Sequence, residues 1–324
     1  MEYKMILIMY IFCSSKSIIY GSGNQTAKAR KNNHFGIKML SSVRHDEQNV
    51  YSTGLFDQQE KRQTVMLEFC KSNFSSKIMD DHMIYSDTES LLYCYIPKAA
   101  CTTWKRMFQL FDGKMDLNQI MAVEKNAVHK LHYDNFTSLD DAQKDFRQKN
   151  FYSFLISRHP FERLLSAYRN KFRDPYTTHY QKSYGSKILR LYRKDLKEEQ
   201  YMKGEGVTFQ EFIKYVISGK PFDKHWRPMT QLCSPCQFKY KYLGKMETLF
   251  EDANAILQNT GISQKFIFPS NSRDRYKPIS TTEMKKQFLS LKTSEIRKLY
   301  NIYKDDFLAF GYTLPYYIKK LIKV

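Results

Sequence analysis

The stretch from Leu91 to Phe108 reads LLYCYIPKAACTTWKRMF, and it constrains the fold more tightly than any other part of the chain. An apolar run rich in Leu and Tyr stops at Pro97. A lysine, a string of small residues and two threonines follow, and then a run able to form a helix. That order predicts a buried strand over 91–96, a tight loop, and a helix over about 103–111. Lys98, Thr102 and Thr103 fall at the junction. Backbone N–H groups at a helix N-terminus lack intrahelical partners and converge there with the positive end of the helix dipole, so such a junction suits an anion.

A second junction lies downstream. Phe151–Ser157 (FYSFLIS) predicts another buried strand, ending at Arg158. Pro160 suits the first turn of a helix. Phe161, Leu164, Leu165, Tyr168 and Phe172 give that helix its apolar face, with Arg163, Ser166 and Arg169 off it. Ligands gather at strand ends in open α/β sheets, and an arginine there is a good phosphate fork. Each junction alone also reads blandly: an ordinary turn with a surface lysine, or an arginine paired with an acid. Together they suggest one ligand with two separate anionic groups.

The rest of the chain supports an α/β class. Thr208-Phe-Gln-Glu211 predicts a capping box opening a helix through Ile217. Residues 185–203 are basic and helical in composition, and 249–257 reads as a helix. Ile296, Leu299, Tyr300, Tyr303 and Phe307 form a further amphipathic face ending at Gly311. Strands alternating with helices predict a mainly parallel central sheet flanked by helices. The compact domain is placed at 88–324, and the polar, mixed residues 23–87 are read as a stem or loosely packed extension.

Net charge is +19, and 24 Tyr and 23 Phe supply a large core, so the partner is expected to be acidic: nucleic acid, anionic lipid or an anionic polysaccharide. The N-terminus narrows this. Lys4 precedes the apolar run from Met5 to Cys13, so residues 1–22 read as a secretory signal peptide or a short signal-anchor. Sequons at Asn24, Asn73 and Asn135 agree with secretory entry. That route favours an acidic glycan over nucleic acid. Cys233-Ser-Pro-Cys236 reads as half a zinc site, a redox pair or a disulfide corner. No second close Cys or His pair completes a zinc set, so structural disulfides and one leftover thiol are expected, and no metal.

The first loop does the job of a P-loop without its GxxxxGK[ST] pattern, which disfavours a nucleoside-triphosphate kinase. With Arg158-His-Pro-Phe-Glu-Arg-Leu-Leu-Ser166 it resembles the Golgi carbohydrate sulfotransferases, in particular the chondroitin 4-O-sulfotransferase type. Tyr93–Arg106 and Arg158–Phe172 carry the resemblance. So do Tyr184–Ile188, His225-Trp226 with Leu232–Cys236, Gly244–Thr248 and Asp306-Phe307, over residues 88 to 315 or so. His159 departs from the usual acid, and Thr103 from a common Asn.

The resemblance implies a P-loop-like sulfotransferase fold and transfer of sulfate from 3′-phosphoadenylyl sulfate (PAPS), without a metal, to a hydroxyl of chondroitin or dermatan, at O-4 of N-acetylgalactosamine. Lys98, Ala99, Ala100, Cys101, Thr102, Thr103 and Trp104 become the 5′-phosphosulfate loop. Arg158, His159, Pro160, Phe161, Glu162, Arg163, Leu164, Leu165 and Ser166 become the 3′-phosphate site. His129 is the expected catalytic base, with His132, Glu124 and His225 as weaker alternatives. Lys171, Arg173, Lys187, Arg190 and Arg193 are expected to line the acceptor groove. The implied location is the Golgi membrane, single-pass with a lumenal catalytic domain, or lumenal or secreted after cleavage. Another glycan terminus as acceptor, or a non-catalytic polyanion-binding protein, remain the alternatives.

Overall fold

The computed structural model describes residues 45–73, 78–174, 178–269 and 278–323. The leader and Asn24 lie outside them. Five strands form one sheet in the order β3-β1-β2-β4-β5. They are β1 (Met83–Ser86), β2 (Leu91–Cys94), β3 (Asp134–Asn135), β4 (Tyr152–Ser157) and β5 (Tyr242–Lys245). β2, β4 and β5 pair in parallel, whereas β1 runs antiparallel to both of its neighbours. The sheet is therefore mostly parallel, with one reversed strand that the alternating strand–helix pattern did not reveal.

Both expected strands form where the apolar runs lie. β2 is buried at every position and β4 at all but Tyr152, as strands covered on both faces must be. Their register sets Tyr93 beside Phe154, and the two rings stack at 4.7 Å. Helix α2 (Cys101–Phe111) covers this pair, with Trp104 tilted against Phe154 at 4.6 Å. A second apolar cluster is helical. It joins the helix Pro160–Tyr168, through Phe161 and Leu165, to Phe212, Trp226, Phe288 and Phe307.

Pro160 stands at the first helical turn, and Thr208 and Glu211 close the expected capping box on the helix Phe209–Val216. The basic stretch 185–203 is not one helix. A π-helical turn (Gln181–Gly185) leads into Ser186–Tyr192, the chain then extends at Arg193, and a second helix covers Glu198–Lys203. Gly185 and Gly204 let these pieces touch: a Cβ on Gly185 would sit 2.1 Å from the Gly204 carbonyl oxygen.

The compact body begins earlier than residue 88. Helix α1 (His45–Ser72) packs along β5 and the helix Thr293–Ala309. Arg62 reaches Asp252 at 2.7 Å, Thr248 at 2.9 Å and the Leu243 carbonyl at 3.0 Å, and Gln63 donates to the Tyr240 carbonyl. Cys70 is bonded to Cys236, and a second disulfide joins Cys94 to Cys233. Polar and covalent ties hold α1, so its sequence lacks a broad apolar stripe and reads as loose. Cys101 is the free, buried thiol among the described residues. Asn73 and Asn135 are both exposed.

Candidate functional site

Because β2 and β4 are parallel neighbours, their C-terminal ends lie side by side, and both anion junctions leave from that edge. The loop after β2 turns tightly. Lys98 and Ala100 both adopt left-handed backbone, with φ of 73° and 56°, although neither is glycine. For residues with a Cβ this conformation is costly, and it persists at sites where surrounding structure enforces it. Ala100 caps α2 without a side-chain hydrogen bond, so the first N–H groups of the helix have no side-chain cap at that position.

Lys98 points across to the second junction. Its Nζ donates to Asn170 Oδ1 at 3.1 Å, and its carbonyl accepts from Arg158 at 3.2 Å. Burial, aided by the charges of Lys125, Lys171 and Arg158, lowers its pKa to about 7. Asn170 lies in a π-helical turn (Arg169–Arg173) that follows the helix Pro160–Tyr168 directly. Such turns recur at functional sites because they re-aim side chains. Nothing in the sequence marked Asn170.

Arg158 is mostly buried, with a side chain 14% exposed, and its Nε has no hydrogen-bond partner. Glu162 stands 3.7 Å away. Burial lowers the pKa of Arg158, but a guanidinium stays charged. The Glu162 carboxylate faces Nε, and a guanidinium fork at a strand end fits a ligand anion. Ser166 is half-buried one face along the same helix. His159 turns away: its N–H donates to Glu247 at 2.9 Å and its Nε2 meets the Thr313 carbonyl at 3.1 Å. Glu247, from the Gly244–Thr248 motif, thereby braces this turn.

Arg163 takes a different part from the one expected. It is fully buried and donates to three carbonyls: Pro97 at 2.9 Å, Arg227 at 2.7 Å and Lys224 at 3.0 Å. It ties the first loop to the segment 223–227 and has little left for a ligand. Pro160, Phe161, Leu164, Leu165, Ala99 and Trp104 are buried core residues that shape the site from beneath.

Several titratable groups face the loop. His129 Nε2 lies 3.0 Å from Thr102 Oγ1. The residue keeps solvent contact at its edge. Although the residue as a whole is exposed, burial of the ring, then the charges of Lys105, His225, Lys171 and Lys224, lowers its pKa to about 3, which favours the neutral imidazole. His225 is similarly lowered by burial, to about 4, against the pull of Asp223. Its Nδ1 is 2.6 Å from Asp223 and 3.0 Å from the Tyr180 hydroxyl. His132 is a surface residue, its side chain 82% exposed beside Asp134. Glu124 is exposed at the start of the short helix Lys125–Val128.

Of the cations expected in an acceptor groove, Lys171 is near enough to act on Lys98, His129 and His225, which together mark out the candidate cleft; it is buried over the Tyr180 ring at 4.2 Å and lowered by burial to about 8. Lys187 sits over Tyr184. Arg173 faces Glu283, Arg190 pairs with Glu198, and Arg193 binds Glu211 and the Gly206 carbonyl. Arg193 thus anchors the break between two helices. Three other cations act electrostatically here instead: Lys125 on Lys98, and Lys105 and Lys224 on His129. Lys105 is buried over Tyr95 and Tyr133, and burial lowers it to about 8. Lys105 stands in the quoted loop sequence, but only the fold shows that it faces the same space as His129. Among the described residues no cluster of His, Cys, Asp and Glu is gathered to hold a metal, and no helix is long and apolar enough to cross a membrane.

Comparison with known proteins agrees with this geometry. Residues 81–313 match a family described as "Sulfotransferase family". Carbohydrate sulfotransferase 11 of Mus musculus is 38% identical over 245 residues, 74% of this chain and 69% of that protein. Carbohydrate sulfotransferase 9 of Homo sapiens is 35% identical over 272 residues, 80% of this chain and 60% of that protein. Carbohydrate sulfotransferase 14 of Homo sapiens is 34% identical over 236 residues, 72% and 61% respectively. No solved structure matches.

Proposed function

The chain belongs to the sulfotransferase family, and from that premise we propose that it moves the sulfuryl group of PAPS onto a glycosaminoglycan hydroxyl, at O-4 of N-acetylgalactosamine in chondroitin or dermatan. One observation carries the reading. Two anion junctions leave adjacent parallel strands and touch through Arg158 and the Lys98 carbonyl. A donor with a 5′-phosphosulfate and a 3′-phosphate has its two anionic groups held apart in the same way.

In this reading the α2 N-terminus and Lys98 hold the phosphosulfate, and Arg158 with Ser166 holds the 3′-phosphate. The acceptor oxygen attacks sulfur in line. The bond from sulfur to the 5′-phosphate oxygen breaks, and that oxygen gains negative charge. Lys98 neutralises it, which is where electrostatic catalysis acts most strongly. Arg158 fixes the donor's position and so the angle of attack. Lys105, Lys171 and Lys224 give the cleft the positive field that a polyanionic acceptor requires.

The same reading places the domain in the lumen of the Golgi, anchored by or released from residues 1–22. Two disulfides support an oxidising compartment. The test is incubation with labelled PAPS and desulfated chondroitin, dermatan or heparosan, followed by disaccharide analysis. Label in N-acetylgalactosamine 4-sulfate is expected. Label on another sugar moves the acceptor. Transfer from ATP, or binding of polyanions without binding of 3′,5′-ADP, overturns the reading.

A further inference from the structure

The cleft holds two imidazoles, and they are supported differently. His129 has its Nε2 against the hydroxyl of Thr102, and among the described residues no ion pair to a carboxylate holds its ring. His225 is built into a set of partners. Asp223 Oδ1 accepts from the His225 backbone N–H at 2.9 Å and lies 2.6 Å from its Nδ1. The Tyr180 hydroxyl donates to Asp223 Oδ2 at 3.2 Å. A carboxylate at Nδ1 requires the proton to sit there, so Nε2 carries the lone pair. The His225 and Asp223 side chains are 14% and 15% exposed, sheltered but still reachable from the cleft.

The segment carrying His225 is held over the donor loop. Arg227 and Trp226 donate to the Asp223 carbonyl, which tightens the turn. The Tyr303 hydroxyl donates to the Trp226 carbonyl. Arg163 spans the gap, with Nε on Pro97 and its two other nitrogens on Lys224 and Arg227. One buried guanidinium therefore sets the spacing between the Lys98 loop and the His225 turn. The charges of Lys98 and Lys171 act on His225, and His225 acts in turn on His129.

We infer that His225, oriented by Asp223 and Tyr180, is the general base that takes the proton of the acceptor hydroxyl. This rests on the sulfuryl-transfer reading. As the acceptor oxygen bonds to sulfur, its proton passes to His225 Nε2, and the electron pair of the broken bond stays on the 5′-phosphate of the departing 3′,5′-ADP. The imidazolium formed is stabilised by Asp223 and later loses its proton to water. Asp223 and Tyr180 are positioning residues. His129 positions Thr102 and hence the donor loop.

The experiment compares the full chain with His225→Ala, His225→Gln, Asp223→Asn and His129→Ala, reading kcat, donor KM and 3′,5′-ADP affinity. Both His225 variants should lose about 10²- to 10⁴-fold in kcat, the range for removing a general base, with 3′,5′-ADP affinity retained. Asp223→Asn should lower kcat and move the acid limb of its pH profile to lower pH, because the carboxylate that holds the imidazole's pKa up is gone. A merely structural role would not move that limb. His129→Ala should raise donor KM more than it lowers kcat. Wild-type kcat in His225→Gln, or loss of kcat and 3′,5′-ADP binding in equal proportion in both His225 variants, overturns the assignment. Failure of the wild-type chain to transfer sulfate from PAPS would instead overturn the functional reading beneath it.

Discussion

The two anion junctions are built from the same parts, a strand end and a helix start, yet they handle charge in opposite ways. At the first, a half-buried lysine stands in a loop of left-handed backbone, close enough to neutrality that its pKa falls to about 7. At the second, a mostly buried arginine keeps its charge, with Glu162 3.7 Å from its Nε. A lysine poised this way responds to charge that appears during a reaction. An arginine that never loses its proton holds a group whose charge does not change. On the proposed reading, the difference separates the end of the donor that reacts from the end that is only gripped.

The sharpest way to break the contrast is to remove each cation in turn. Lys98→Ala should lower kcat by about 10²- to 10³-fold, the cost of losing a preorganised stabiliser of developing charge. Its 3′,5′-ADP affinity should fall much less. Arg158→Lys should do the reverse. Donor KM should rise by about 10- to 100-fold through loss of the fork, with kcat at saturation nearly unchanged. Equal effects on both parameters in both variants would erase the distinction.

A smaller effect should appear in pH. In the free protein Lys98 sheds its proton near pH 7, and an anionic ligand favours the protonated form. Binding of 3′,5′-ADP should therefore take up a proton above that pH, and affinity should fall by up to roughly tenfold per pH unit on the alkaline side. Titration calorimetry in buffers of different ionisation enthalpy reads this uptake directly. Lys98→Arg should flatten the dependence. The smallest effect is expected at Arg190, which is already paired with Glu198 on the surface: Arg190→Ala should change acceptor KM less than about twofold. Lys224→Ala should exceed it, since the charge of Lys224 acts on His129 beside the first loop.

Local pattern made much of this legible. The apolar runs before Lys98 and Arg158, Pro160 at a first turn, and the box between Thr208 and Glu211 each depend on residues a few positions apart. The reversed direction of β1 and the docking of α1 depend on pairings far along the chain, such as Arg62 with Asp252. The same holds at the site. Arg158 and Arg163 share one motif, but one faces the ligand space and the other is used up on three carbonyls. Lys105, Asn170 and Asp223 join the cleft only because distant segments fold over one another. Arg190 and Arg193 looked like groove cations because their acidic partners, Glu198 and Glu211, lie on separate helices.

The disulfides carry a consequence for how the protein is made. Cys94–Cys233 is nested inside Cys70–Cys236, with sequence separations of 139 and 166. Pairing by chain proximity would instead join Cys70 to Cys94 and Cys233 to Cys236, closing much shorter loops at lower entropic cost. Neither native bridge can close until the ribosome has delivered nearly three quarters of the chain, well after the Lys98 loop and Arg158 have emerged. The proposed donor site is thus locked late in biosynthesis. A cell that translocates this chain without a disulfide isomerase should accumulate species in which the donor strand β2 is cross-linked to the wrong partner.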